Sequence, residues 1–88
     1  MPAIRKLTQN FVATDVDGEV LIVDLDGGEL FSLSGTGKAV WEAIDGERDV
    51  AAIAGLLVER YDGEVGTITA DVAALVADLE AAALVDCN

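Results

Sequence analysis

The sequence predicts an α+β domain of winged-helix-like type, with a three-stranded antiparallel sheet followed by three helices. Three observations carry that prediction. Two runs rich in β-branched and apolar residues, 10–16 and 19–25, are separated by Asp17-Gly18, a strong two-residue hairpin signal. Asp26-Gly27-Gly28 then turns the chain into a third run, Glu29 to Leu33. From Ser34 onward the apolar spacing changes to the three-or-four pattern of helices, with a polar capping type before each stretch.

Side-chain parity in the second hairpin follows from facing pairs sharing a face. With a two-residue loop, Leu21, Val23, Leu25, Leu30 and Ser32 lie on one side. Val20, Ile22, Phe31 and Leu33 lie on the other, with Asp24 and Glu29. Both sides are apolar, whereas a sheet with one solvated face alternates cleanly. One side packs on the helices, and the other needs a cover, either the N-terminal arm (residues 1–9) or another molecule.

The first helix starts at Ser34 or Thr36, carries Gly37, Val40, Trp41 and Ile44 at helical spacing, and closes at Asp45-Gly46. Asp49 caps a second helix with Val50, Ile53, Leu56 and Leu57 as its buried stripe, ended by Asp62-Gly63. Thr67 or Thr69 caps the third and longest. Its buried face is Ile68, Val72, Leu75, Val76 and Leu79, and Asp71 and Asp78 bracket Leu75 at the margin. Leu84 and Val85 can dock, and residues 86–88 are expected to fray. Trp41, large and apolar, is expected in the core at the sheet–helix junction.

The chain has 88 residues and forms one small domain. Its net charge is −12, with only five basic residues, two of them Arg5 and Lys6 in the arm. Phosphate backbones require clustered Lys and Arg, so neither nucleic acid nor an anionic membrane is an expected partner. The N-terminal ten residues have no apolar signal segment and no stretch reaches a membrane span, so a cytoplasmic protein is expected.

Catalytic chemistry has little to stand on. Ser34-Gly35-Thr36-Gly37-Lys38 fails the phosphate-loop fingerprint twice, because Ser32 and Ala39 occupy positions that need Gly and Ser or Thr. With no histidine and the single Cys87, nitrogen- and sulfur-ligated metals lack ligands, and the thiol has no activating base. Asp15, Asp17, Asp24 and Asp26 flank turns without the EF-hand register. An acyl or peptidyl carrier would be a helical bundle with a modifiable serine at a helix start, whereas Ser32 and Ser34 lie in and at the end of a strand. The expectation is a non-enzyme without a cofactor.

The ordered set Leu25-Asp26, Phe31, Leu33-Ser34, Thr36-Gly37, Val40-Trp41, Ile44 and Gly46 resembles the PqqD-like family, the precursor-peptide recognition elements of ribosomal peptide biosynthesis. Asp49-Val50-Ala51-Ala52-Ile53 is similar to the start of its second helix, and Asp71-Val72 with Leu75 and Leu79 to its third. The resemblance spans roughly residues 10–85. Gly35 stands where the family often has proline. Asp26-Gly27-Gly28 replaces the Pro-Glu turn of pyrroloquinoline quinone members. That turn and the tryptophan look more like stand-alone leader-binding proteins of lasso-peptide or related pathways.

The resemblance implies that a leader segment of a precursor peptide adds as an antiparallel strand to the third strand, in a groove walled by the third helix. The strand would be Glu29, Leu30, Phe31, Ser32 and Leu33, and it lacks the Pro or Lys that blocks exposed edges. The wall would be Asp71, Val72, Leu75, Asp78 and Leu79. Leu30, Phe31, Leu33, Val72 and Leu75 would form the apolar pocket, and Asp71, Asp78 and Glu29 would select Lys or Arg. The partners would be the leader peptide and a separate maturation enzyme (a leader protease, a cyclase or a radical enzyme). The rival readings are a homodimeric interaction protein using the second apolar sheet face, and a winged-helix DNA-binding regulator, against which the charge argues.

Overall fold

A computed structural model of the protein describes residues 3–61 and 63–87. Its elements in chain order are β1 (Ile4–Lys6), a 3-10 turn (Thr8–Asn10), β2 (Phe11–Val16), β3 (Glu19–Asp24), β4 (Leu30–Leu33), α1 (Gly35–Ala43), α2 (Val50–Arg60), α3 (Val65–Ala81) and β5 (Val85–Cys87). The expected three-stranded antiparallel sheet is present in the order β2-β3-β4, followed by the three helices, an α+β arrangement.

The first hairpin turns where Asp17-Gly18 requires it. Both residues have positive φ, 50° and 81°, which a two-residue type I′ loop demands and glycine supplies without strain. The ladder then pairs Val16 with Glu19 and Phe11 with Asp24. In the second hairpin Val20 pairs with Leu33, Ile22 with Phe31, and Val23 with Leu30, the parity expected from the sequence.

Burial answers which face meets the helices. Val20 and Ile22 are buried among Val40, Trp41, Ile53, Val72 and Leu79, with Phe31 and Leu33 packed beside them. The opposite face leaves Val12, Val23 and Leu30 exposed. Trp41 is buried and makes an edge-on contact with Phe11, ring centroids 5.2 Å apart, so α1 is riveted to β2. The Lys6 ammonium lies 4.6 Å from the indole centroid. Burial lowers its pKa, and the Glu42 carboxylate partly opposes that shift.

The helix starts differ in how they are satisfied. Asp49 caps α2, accepting a hydrogen bond from the Ala52 N–H at 2.9 Å. Ser34 occupies the N-cap position of α1, but its side chain makes no capping bond. The third helix begins before the expected Thr67 or Thr69, with Glu64 at the cap and no side-chain bond. Residues 64–67 are all exposed, so water can satisfy the first-turn N–H groups and no threonine cap is required. The expected end of α2 at Asp62 lies outside the described residues.

The two chain ends are the main correction to the sequence reading. Asp86 and Cys87 do not fray (Asn88 lies outside the described residues), and residues 3–9 of the arm do not cover the outer sheet face. Instead β1 pairs antiparallel with β5, with Ile4 opposite Cys87, Arg5 opposite Asp86 and Lys6 opposite Val85. Ile4, Leu84 and Val85 are almost fully buried, and that burial offsets the entropy of ordering two short segments. Cys87 is half-buried, and burial, with the Glu80 carboxylate adding to it, pushes the thiol pKa up.

The chain reaches β5 through a Schellman-type helix end. The Leu84 N–H donates to the Leu79 carbonyl and the Ala83 N–H to the Glu80 carbonyl, with Ala83 at φ 60°. A left-handed alanine is strained by about 1–2 kcal/mol, against about 0.4–1 kcal/mol that glycine loses through a freer unfolded chain. Ala83→Gly is therefore expected to stabilise the fold by about 0.5–1 kcal/mol in urea unfolding. A destabilisation would mean that the Ala83 methyl makes a contact that outweighs its backbone strain.

Candidate functional site

The third strand of the expected meander is β4, and it is a sheet edge. It pairs with β3 on one side, and among the described residues no strand pairs with its other side. The Asp24 N–H donates to the Glu29 carbonyl at 2.8 Å, which fixes the phase of the ladder. In an antiparallel pair, hydrogen-bonded and non-bonded positions alternate, so Phe31 and Leu33 direct their N–H and C=O groups toward β3. Leu30 and Ser32 direct theirs to the open side. The edge thus presents two donors and two acceptors at the spacing a further strand requires.

Beside that edge runs a groove of about 610 Å³ between β4 and α3. Phe31 and Leu33 form its sheet wall, Leu75, Asp78 and Leu79 its helix wall, and Asp24, Asp26 and Glu29 close one end. A smaller hollow of about 300 Å³ continues past Leu75 between the helices, where Asp71 and Val72 meet Thr36, Tyr61 and Ile68. Leu75 is shared by the two, and Gly37 lines the smaller one, where a Cβ would lie in ordinary contact, 3.7 Å from Leu33 and 3.9 Å from Leu75.

Of the ten residues singled out in the sequence, the groove gathers Glu29, Phe31, Leu33, Leu75, Asp78 and Leu79. Asp71 and Val72 line the neighbouring hollow. Val72 and Leu79 are almost wholly buried, so they support the walls more than they offer surface. Leu30 does not belong to an apolar pocket: its side chain, 65% exposed, points to the opposite sheet face, as does that of Ser32, whose hydroxyl reaches Glu19. Their share in the edge is backbone alone. Asp24 was missed: it read as a turn residue, although parity put it on the Phe31 face, a signal that could have found it. Tyr61 was legible only as an aromatic just past a helix end.

The electrostatics are one-sided. The ion pairs among the described residues join Arg5 to Asp86, Lys38 to Asp15 and Arg48 to Asp45. None of them involves the groove carboxylates Asp24, Asp26, Glu29 or Asp78. Asp24 instead accepts the Asp26 N–H within its own turn, at 3.0 Å. Such an end favours a cationic side chain on whatever lies in the groove. Among the described residues no helix is long and apolar enough to cross a membrane.

Comparison with known proteins places this geometry in context. The sequence profile of the family described as coenzyme PQQ synthesis protein D (PqqD) matches residues 19–85. Two solved structures share the fold. One is TbiB1 in complex with the TbiA(beta) leader peptide, at TM-score 0.81 and 21% identity, covering 92% of this chain and 94% of that one. The other is a lasso peptide synthetase B1 complexed with the leader peptide, at TM-score 0.82 and 22% identity, covering 94% of this chain and 96% of that one. No curated protein matches the sequence.

Proposed function

The chain belongs to the coenzyme PQQ synthesis protein D (PqqD) family, and on that premise we propose that it is a non-catalytic recognition module for the leader segment of a ribosomally made precursor peptide. The leader adds as an antiparallel strand to β4 and is delivered to a separate maturation enzyme, such as a leader protease, a cyclase or a radical enzyme. The observation that carries this reading is the open backbone of Leu30 and Ser32 running beside an apolar groove with an acidic end. Backbone bonds supply affinity in such strand addition, and pockets at alternate positions supply selectivity. That the two structures of like fold hold leader peptides supports it.

The register sets what the ligand must look like. An antiparallel strand places one residue opposite Leu33, the next but one opposite Phe31, and the next but one again opposite Glu29, all facing the groove. The first two meet Leu33, Phe31, Leu75 and Leu79, so they are apolar. The third reaches Glu29 and Asp78, so Lys or Arg fits there. The leader therefore runs from the Gly37 end to the acidic end, N-terminus first. Holding it there raises the effective concentration of the attached core peptide at the enzyme.

Titration of the purified chain with the synthetic leader of the precursor encoded beside its gene tests the reading. Phe31→Ala and Leu75→Ala are each expected to weaken binding about tenfold, or about 1.4 kcal/mol. Asp78→Lys is expected to weaken a leader with a basic third position and to spare one with alanine there. If all three variants, folded by circular dichroism, bind as tightly as the parent, the groove is not the site.

A further inference from the structure

The β4 edge carries a polar site on the side away from the groove. The Ser32 hydroxyl donates to the Glu19 carboxylate at 3.3 Å, across the second hairpin. Both residues are exposed, and both lie on the outer side of the sheet with Val23 and Leu30. That bond draws the carboxylate from β3 over β4, the last strand before the open edge. None of the ion pairs among the described residues uses Glu19. Because the hydroxyl spends its proton on Glu19, the pair offers only acceptors toward the edge.

A strand added to β4 brings one residue to this site. The backbone groups of Ser32 point to the open side, so the added residue opposite it is held in a hydrogen-bonded pair. Facing side chains share a face, with Cβ atoms about 5 Å apart. Lys or Arg spans that distance, laying its stem over Ser32 and its cation on Glu19. Asp or Glu there meets its own charge, which is unfavourable between cross-strand neighbours. The position opposite Leu30 lies on the same side and meets a leucine that is 65% exposed, beside Val23. An apolar residue suits it.

We propose that Glu19, held in place by Ser32, is a specificity-determining residue that selects Lys or Arg at the peptide position opposite Ser32. This rests on the reading that β4 takes up an antiparallel strand. The residues opposite Leu33, Ser32, Phe31, Leu30 and Glu29 then read apolar, basic, apolar, apolar, basic. The two basic positions lie on opposite faces and near opposite ends of β4. A slip of one residue would carry the first cation into the apolar groove, because every side chain changes face. A slip of two would part both cations from their carboxylates. Glu19 therefore fixes the register of the peptide as well as its composition.

The test uses the full chain and the synthetic leader of the precursor encoded beside its gene, with each leader residue replaced in turn by Lys, Glu and Ala. Binding to the parent chain and to Glu19→Lys is read by anisotropy at low salt, where exposed charges are least screened. One position is expected at which Lys binds the parent about fivefold more tightly than Glu, and at which Glu19→Lys reverses the order. It is expected three residues before the position whose charge responds to Asp78→Lys. Alanine at that position is expected to bind both chains to within about twofold, since the exposed pair is then absent. Should Glu19→Lys not fold, Glu19→Gln keeps the size and removes the charge, and is expected to abolish the preference. A leader that responds to Asp78→Lys but at no position to residue 19, or that responds at another spacing, would overturn this inference alone. No binding by the parent chain would overturn the strand-addition reading and this inference with it.

Discussion

Replacing Ser32 with proline is expected to abolish most leader binding while leaving the domain folded. The Ser32 N–H points to the open side of β4, so its loss breaks no bond to β3, and proline is tolerated on an edge strand with that orientation. An incoming strand, however, loses a donor and meets the pyrrolidine ring. One acceptor left unpaired costs about 1–3 kcal/mol, so affinity should fall about thirtyfold, or about 2 kcal/mol. Anisotropy of a labelled leader measures this, with thermal melting as the check on folding. Ser32→Ala is the comparison, since it removes the hydroxyl and keeps the N–H. Equal weakening by both substitutions would locate the effect in the side chain and sink strand addition.

The largest expected effect on stability is at Trp41. The indole is 4% exposed and holds Phe11 edge-on and Lys6 over its face. Trp41→Ala is expected to cost about 3–5 kcal/mol, from lost transfer energy and the cavity left between α1 and β2. Domains of this size have about 5–15 kcal/mol in total, so the variant would sit near its unfolding midpoint in mild urea. Far-ultraviolet circular dichroism reads the transition without the lost fluorophore. A loss below about 1 kcal/mol would mean that Phe11 and its neighbours collapse into the space.

The sheet and helices were legible because their signals are local. Asp17-Gly18 dictates a turn with two positive φ values, and the alternation after it fixes which residues share a face. Asp49 announces a helix by what its carboxylate can accept. Which of two apolar faces packs inward was not legible, because both have the right period and only the placement of the helices decides. The β1–β5 ladder was invisible for a different reason. Three residues at each end carry no periodic signal, and their pairing depends on Ile4 and Val85 meeting a core built by everything between them.

At the site, the family resemblance pointed to the strand and the helix, and parity already separated Leu30 from Phe31. Assigning both to one pocket overlooked that a side chain and its backbone can serve opposite sides of a sheet. The acidic end was half legible. Glu29 and Asp78 stood out, whereas Asp24 and Asp26 read as turn residues, which they also are.

The ladder between the two ends has a mechanical consequence. Ile4 faces Cys87, so the chain enters and leaves the domain at neighbouring points. Tension applied across those points peels the ladder open one pair at a time, while the hairpin that carries β4 lies outside the line of force. The same adjacency lets the unit be spliced into a surface loop of a larger protein with short joints, as domains with close ends tolerate. A permuted chain, joined across its old ends and cut elsewhere, should likewise keep its fold.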